Sequence, residues 1–236
     1  MRHRDFLVGW LGLAALAVGA IAVPASLAAQ GAVSGRVSGR VSIGERAGEQ
    51  TTDFNSTVIY LTPKDSASVR TRPVRGAIAM NGRAFVPHVR VVTPGSRVDF
   101  PNQDPFSHNI FSSSPGAVFD LGLYPAGKSK DAPFRRPGVY AVYCNIHPRM
   151  TSFVVVVPSQ WSAQAGNDGR WSIDGVPAGD YALTVWHERA PSATVSITVT
   201  PTGLSGLTTA LDARGYRFAE HRNKFGREYD KNAIRY

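Results

Sequence analysis

"GVYAVYCNIHPRMTSFVVVVP", residues 138–158, decides how this chain is read. "GVYAVYC" and "TSFVVVVP" are β-branched and aromatic runs of strand length, so the stretch reads as two strands joined by a short loop. That loop begins at Cys144, the one cysteine in 236 residues, and carries His147 three positions on and Met150 three after that. A thiol with nothing to pair with, set beside two further soft or borderline donors, asks for a chemical explanation.

The N-terminus sharpens the question. "MRHRDFLVGWLGLAALAVGAIAVPASLAAQ" has a basic start, an apolar run from Phe6 to Val23 and small residues after Pro24, the layout of a secretory signal over residues 1–29. An uncleaved anchor is the other reading of that run, since spanning takes about 20 apolar residues. No other apolar run approaches this length, so the expected location is periplasmic or otherwise outside the cytoplasm, with no membrane contact beyond the signal. Exported proteins that use cysteine structurally carry it in even numbers. A single cysteine leaves a buried inert thiol, an intermolecular bridge, a nucleophile or a metal-bound thiolate.

After the signal, Val, Thr, Gly and Pro recur and few windows show helical spacing, so the chain is expected to be all-β. "STVIYLTP", "AFVPHVRVV", "SRVDFP", "HNIFS", "GRWSIDGV", "DYALTVWHE" and "ATVSITVTP" read as further strands between turns such as "TPGS" and "GNDG". The echo "SGRVSGRV" reads as a glycine-broken edge strand. The tail from Ala213 lacks a strand pattern, holds seven Lys or Arg against three acidic residues, and is expected to form a short helix around Phe218 to Phe225 or an extended arm. The formal charge of +9 falls to near +8 once Arg2, Arg4 and Asp5 are removed. Its basic residues are scattered, which argues only weakly for nucleic acid, so no nucleic-acid partner is expected, and favours solubility and steering toward acidic partners.

Thiolate, imidazole and thioether together select copper over magnesium, calcium or manganese, and a His2Cys plane with a weak axial Met is a blue-copper electron-transfer arrangement. A second histidine must come from elsewhere, and "FPNQDPFSHNIF" offers His108 at the entry to a strand. Residues 76–157, with "FDLG", "VRVVTPGSRVDFPN" and the short Cys-x2-His-x2-Met loop, resemble the plastocyanin/azurin cupredoxins, the loop being similar to that of amicyanin. The resemblance implies a Greek-key β-sandwich over residues 74–158 holding one type 1 copper ion on His108, Cys144, His147 and Met150. It also makes Asn109 an outer residue whose backbone N–H donates to the Cys144 sulfur.

A second resemblance flanks the first. "GNDGRWSIDGVPAGDYALTVWHE" resembles the later half of a carboxypeptidase-regulatory-like (transthyretin-like) β-sandwich, and "SGRVSI" and "STVIYL" resemble its opening strands. The implied organisation is residues 33–63 and 160–212 forming one sandwich, with 74–158 inserted and 213–236 a basic tail.

Other chemistries fit less well. A Cys144–His147 nucleophile pair is awkward on so tight a turn and lacks an orienting acid or amide. Structural zinc takes four Cys or His ligands. His187, in "VWHE", reads as surface or packing, while His88 and His221 have no partner nearby in sequence. The expectation is therefore a non-enzymatic one-electron carrier with an acidic, cytochrome-like redox partner. The competing expectation is a copper-binding, storage or scaffold module.

Overall fold

The computed structural model describes residues 34–65, 69 and 71–230. The signal expected over residues 1–29 lies outside them. The described chain is all-β as expected, apart from one 3-10 turn at Phe54–Ser56. Two strands, β1 (Ser34–Gly44) and β2 (Val58–Pro63), come first. Next follow β3 (Arg75–Ala77), β4 (Ala79–Asn81), β5 (Ala84–Val86), β6 (Val89–Val92), β7 (Ser96–Pro101), β8 (His108–Ser112), β9 (Phe119–Tyr124), β10 (Ser129–Phe134), β11 (Gly138–Cys144) and β12 (His147–Val156). The chain then forms β13 (Ser162–Gln164), β14 (Arg170–Pro177), β15 (Gly179–His187), β16 (Ala190–Val199) and β17 (Leu204–Asp212).

The first two strands join the last five. Sheets ordered β14-β1-β17 and β13-β2-β15-β16 enclose a core that includes Val37, Val41, Ile59, Leu61, Trp161, Trp171 and Leu183. β1 is central in its sheet, contrary to the edge position expected from its glycines. Those glycines serve close packing: a Cβ on Gly39 would sit 2.3 Å from the Leu207 carbonyl oxygen of its parallel neighbour β17.

The ten strands between them build a second sandwich, with sheets β10-β7-β3 and β6-β12-β11-β8-β9 and the hairpin β4-β5. Its core includes Phe100, Ile110, Phe134, Val142, Cys144 and Val154. The chain crosses between the two sheets from β7 to β8, from β9 to β10 and from β10 to β11, which makes the connections of Greek-key type.

The run "FVVVV" lacks alternation because both faces of β12 are covered. Val154 and Val156 point into their own core, while Phe153, Val155 and Val157 meet Val58, Tyr60 and Trp186 of the first sandwich. β2 alternates the same way, sending Ile59 and Leu61 inward and Val58 and Tyr60 to the junction. Burying a side chain of this size stabilises by about 1.5–3 kcal/mol, so the junction joins the two cores firmly. His88 and Glu188 pair across it at 2.6 Å.

No helix of the described residues is long and apolar enough to cross a membrane. The helix expected around Phe218 to Phe225 is absent. Asn223 Oδ1 instead accepts from the Phe225 and Arg227 amides at 3.0 and 3.1 Å, a local bond that competes with helix formation.

Candidate metal centre

His108 opens β8, and Cys144 closes the adjacent strand β11, where Cys144 stands opposite Ile110. His147 opens β12 and pairs with Cys144, after which the register shifts and Tyr143 pairs with Thr151. Pro148, Arg149 and Met150 are thereby pushed out of the ladder as a bulge. Three residues distant in sequence or crowded on a loop thus meet at one end of the second sandwich.

The donor atoms converge. His108 Nδ1 lies 3.4 Å from Cys144 Sγ, and His147 Nδ1 lies 3.5 Å from the same sulfur. All three ligating atoms fall within 4.8 Å of one another, the one such group of His, Cys, Asp or Glu found among the described residues. Metal–nitrogen bonds of ~2.0–2.1 Å and metal–sulfur bonds of ~2.3 Å set such atoms roughly 3.6 Å apart at a tetrahedral angle, so the residues present fit a shared ion. His108 and Cys144 are fully buried and His147 is half-buried. Met150, 3 % exposed, belongs to the same core cluster as Cys144.

Burial pushes the Cys144 thiol up, while the backbone amides of Ile146, Asn109 and His147 donate to its sulfur and oppose that shift. Asn109, for which the resemblance implies an outer role, supplies one of those amides. The Asn109 side chain turns away, its Nδ2 donating to Asp120 Oδ1 at 2.6 Å.

Asp104, to which no sequence motif points, holds His108. Its Oδ2 lies 2.8 Å from His108 Nε2, and the side chain is 5 % exposed. The amides of Gly82 and Arg83, in the β4–β5 turn where both residues have positive φ, donate to the same carboxylate at 2.6 and 3.1 Å. Burial alone would raise the Asp104 carboxyl, but the His108 bond and the two amides outweigh it and hold the group below its usual range. An ionised Asp104 accepts a proton-bearing Nε2, which leaves the Nδ1 lone pair of His108 facing the sulfur. Phe106 packs against both imidazoles, at 5.2 Å from His108 and 5.8 Å from His147 between ring centres.

The other histidines among the described residues find other roles. His187 is buried with Nε2 at 3.4 Å from the Asp53 carbonyl, beside Arg189, whose guanidinium bridges Glu45 and Asp53. His88 takes Glu188. His221 lies against the ligand loop, with Nε2 3.2 Å from the His147 carbonyl.

Residues 158–206 match the family described as polysaccharide lyase family 4, domain II, a segment inside the first sandwich. No curated protein matches the chain. Among solved structures, the chain is similar to a purple cupredoxin from Nitrosopumilus maritimus, at 26 % identity over 35 % of this chain and 99 % of that one, with a TM-score of 0.32. It is also similar to amicyanin from Paracoccus versutus, at 17 % identity over 42 % and 98 % of the two chains, with a TM-score of 0.33. A reduced amicyanin variant gives 18 % identity over 42 % and 99 %, with a TM-score of 0.34.

Proposed function

We propose that this chain is an exported type 1 copper protein that carries single electrons between partner proteins and is not itself an enzyme. The observation that carries the reading is the convergence of two imidazole Nδ1 atoms on one buried thiol sulfur, at 3.4 and 3.5 Å. His108, Cys144 and His147 would hold the ion, with Met150 as the weak fourth donor. Copper bound there supplies a one-electron couple between its cuprous and cupric forms.

The chain's own residues do the rest. Asp104 fixes the His108 ring and its tautomer. The amides of Asn109, Ile146 and His147 withdraw charge from the sulfur. Burial of His108, Cys144 and Met150 excludes water, so little solvent reorganises when charge changes. His147, half-buried at the rim, is the natural exit for an electron.

The export signal over residues 1–29, the insertion of 74–158 into a transthyretin-like sandwich, and an acidic cytochrome-like partner belong to the same proposal. Lys128, whose carbonyl accepts from the Asn102 amide, stands at the metal end of the molecule with Lys130 and the exposed Arg149. Arg135 and Arg136, also basic, follow Phe134, which pairs with Ser96 at the opposite end of β7 from Asn102, and so lie away from the metal end. The first sandwich, packed on the outer face of β12, serves as a brace.

A copper-storage or scaffold role is the competing reading, and voltammetry separates the two. A carrier gives a reversible one-electron wave with copper retained in both states. Release of copper on oxidation or reduction would contradict the carrier role. Electron delivery to an acidic cytochrome should also slow as salt rises, because such steering is screened over a Debye length of ~8 Å at physiological salt.

A further inference from the structure

The basic tail after β17 is the longest described segment without regular structure, and its path is specific. It leaves the first sandwich with the Ala213 amide donating to the Gly44 carbonyl at 2.9 Å and the Arg46 guanidinium donating to the Tyr216 carbonyl at 2.7 Å. From there it lies along the ligand loop. The His221 amide donates to the Pro148 carbonyl at 3.2 Å, and His221 Nε2 faces the His147 carbonyl at 3.2 Å. The Lys224 amide donates to Asn145 Oδ1 at 2.9 Å, and the Tyr229 hydroxyl donates to the Cys144 carbonyl at 3.1 Å. The Arg149 guanidinium sits 5.0 Å from the centre of the Phe218 ring.

Five of the seven residues from Cys144 to Met150 are therefore gripped from outside their own hairpin. The contacts continue sideways. The His221 ring stacks on Tyr143 at 4.5 Å and 28°, and Tyr229 meets His221 edge-on at 5.5 Å. Lys224 Nζ pairs with Asp120 at 2.6 Å, and Asp120 in turn accepts from Asn109, the residue after His108. One strap thus touches the neighbourhoods of all three converging donors.

The bulge explains why a strap is needed. The β11–β12 register shifts after His147, and there the carbonyls of residues 144, 147 and 148 each face a partner from the tail. Buried or half-buried backbone groups of this kind must be satisfied by something. Water would satisfy them too, but would leave the loop free to sample several shapes.

We propose that residues 214–230 are a clamp for the metal-binding loop, with Tyr229, His221 and Lys224 as positioning residues that fix His147 relative to Cys144. The inference rests on the reading that residues 144–150 carry the metal, and it adds the chain's C-terminal tail to the site. The clamp holds the loop in its binding shape before metal arrives, so the Nδ1-to-sulfur spacing is set by protein contacts alone.

The test compares the full chain, a truncation after Arg214, and Tyr229→Phe, each with and without Cu(II). Hydrogen exchange of the metal-free proteins reads the clamp directly. Truncation should speed exchange of the Asn145, Ile146 and His147 amides at least about tenfold, and Tyr229→Phe by about two- to tenfold, as expected for one neutral hydrogen bond. The Val142 and Val154 amides, deep in β11 and β12, should keep their protection. With copper, both variants should show altered paramagnetic resonance parameters at the metal. Should truncation prevent folding, Tyr229→Phe and His221→Ala decide by the same readouts. Loop exchange and copper spectra that match those of the full chain would overturn the clamp. A full chain that takes up no copper would instead overturn the functional reading, while the exchange comparison would still decide the clamp.

Discussion

Replacing Asp104 with Asn should raise the reduction potential of the copper-loaded protein. The substitution keeps an oxygen able to accept from His108 Nε2 and the Arg83 amide but removes a buried negative charge, and it sets an amide NH2 against the Gly82 donor. The carboxylate stands one imidazole ring away from the converging donors, at 2.8 Å from Nε2. Across ~7 Å at an effective dielectric constant of ~20, one unit of charge on the metal interacts with one on Asp104 by about 2.4 kcal/mol. Oxidation adds one such unit, and tenfold in equilibrium is about 59 mV for one electron, so the upper estimate is a rise of about 100 mV. The two turn amides already neutralise part of the charge, which makes about 50 mV the working expectation. Protein-film voltammetry at pH 7 reads this directly, and Asp104→Ala should in addition weaken metal binding about 10- to 100-fold, as loss of such an outer partner does. A potential that falls or stays put in Asp104→Asn would refute the charge argument.

Other substitutions test separate parts of the account. Met150→Gln should keep copper bound while lowering the potential, because an oxygen donor favours the cupric ion, and an unchanged voltammogram would make Met150 a core residue only. Gly39→Ala should cost roughly 1–3 kcal/mol of stability, read in denaturant melts, since its Cβ would meet the Leu207 carbonyl oxygen at 2.3 Å. The His88–Glu188 pair should make the junction pH-dependent. Burial lowers the His88 pKa, but the Glu188 bond and charge outweigh it and the net shift is upward. Stability from this pair is then full below the unfolded value of about 6.5 and is lost as pH rises through the higher folded value. His88→Gln should flatten that slope in thermal melts taken between about pH 6 and pH 9.

Much of the candidate centre is legible in the sequence because it is local. Cys144, His147 and Met150 lie within seven residues, and their soft donor types narrow the choice of metal by chemistry alone. His108 can be read from its place at a strand entry. Asp104 cannot, because its role depends on two amides of the β4–β5 turn more than 20 residues upstream, a juxtaposition that only the fold creates. The tail is illegible for the same reason. Its composition shows charge, while its contacts run through backbone groups that compose no motif. The edge position expected for β1 fails because glycine in a strand signals either weakness or close packing, and the sequence does not say which. The unbroken "FVVVV" run marks a strand without revealing that its second face is the junction.

The central claim is that His108, Cys144 and His147 share one copper ion, and titration of the purified chain with Cu(II), alongside Cys144→Ser, tests it most directly. The account predicts saturation at one copper per chain, an intense visible thiolate-to-copper absorption in the native protein, and loss of that band in the folded Cys144→Ser protein. A native chain that stays colourless at saturation, or a Cys144→Ser protein that keeps the band, would contradict it.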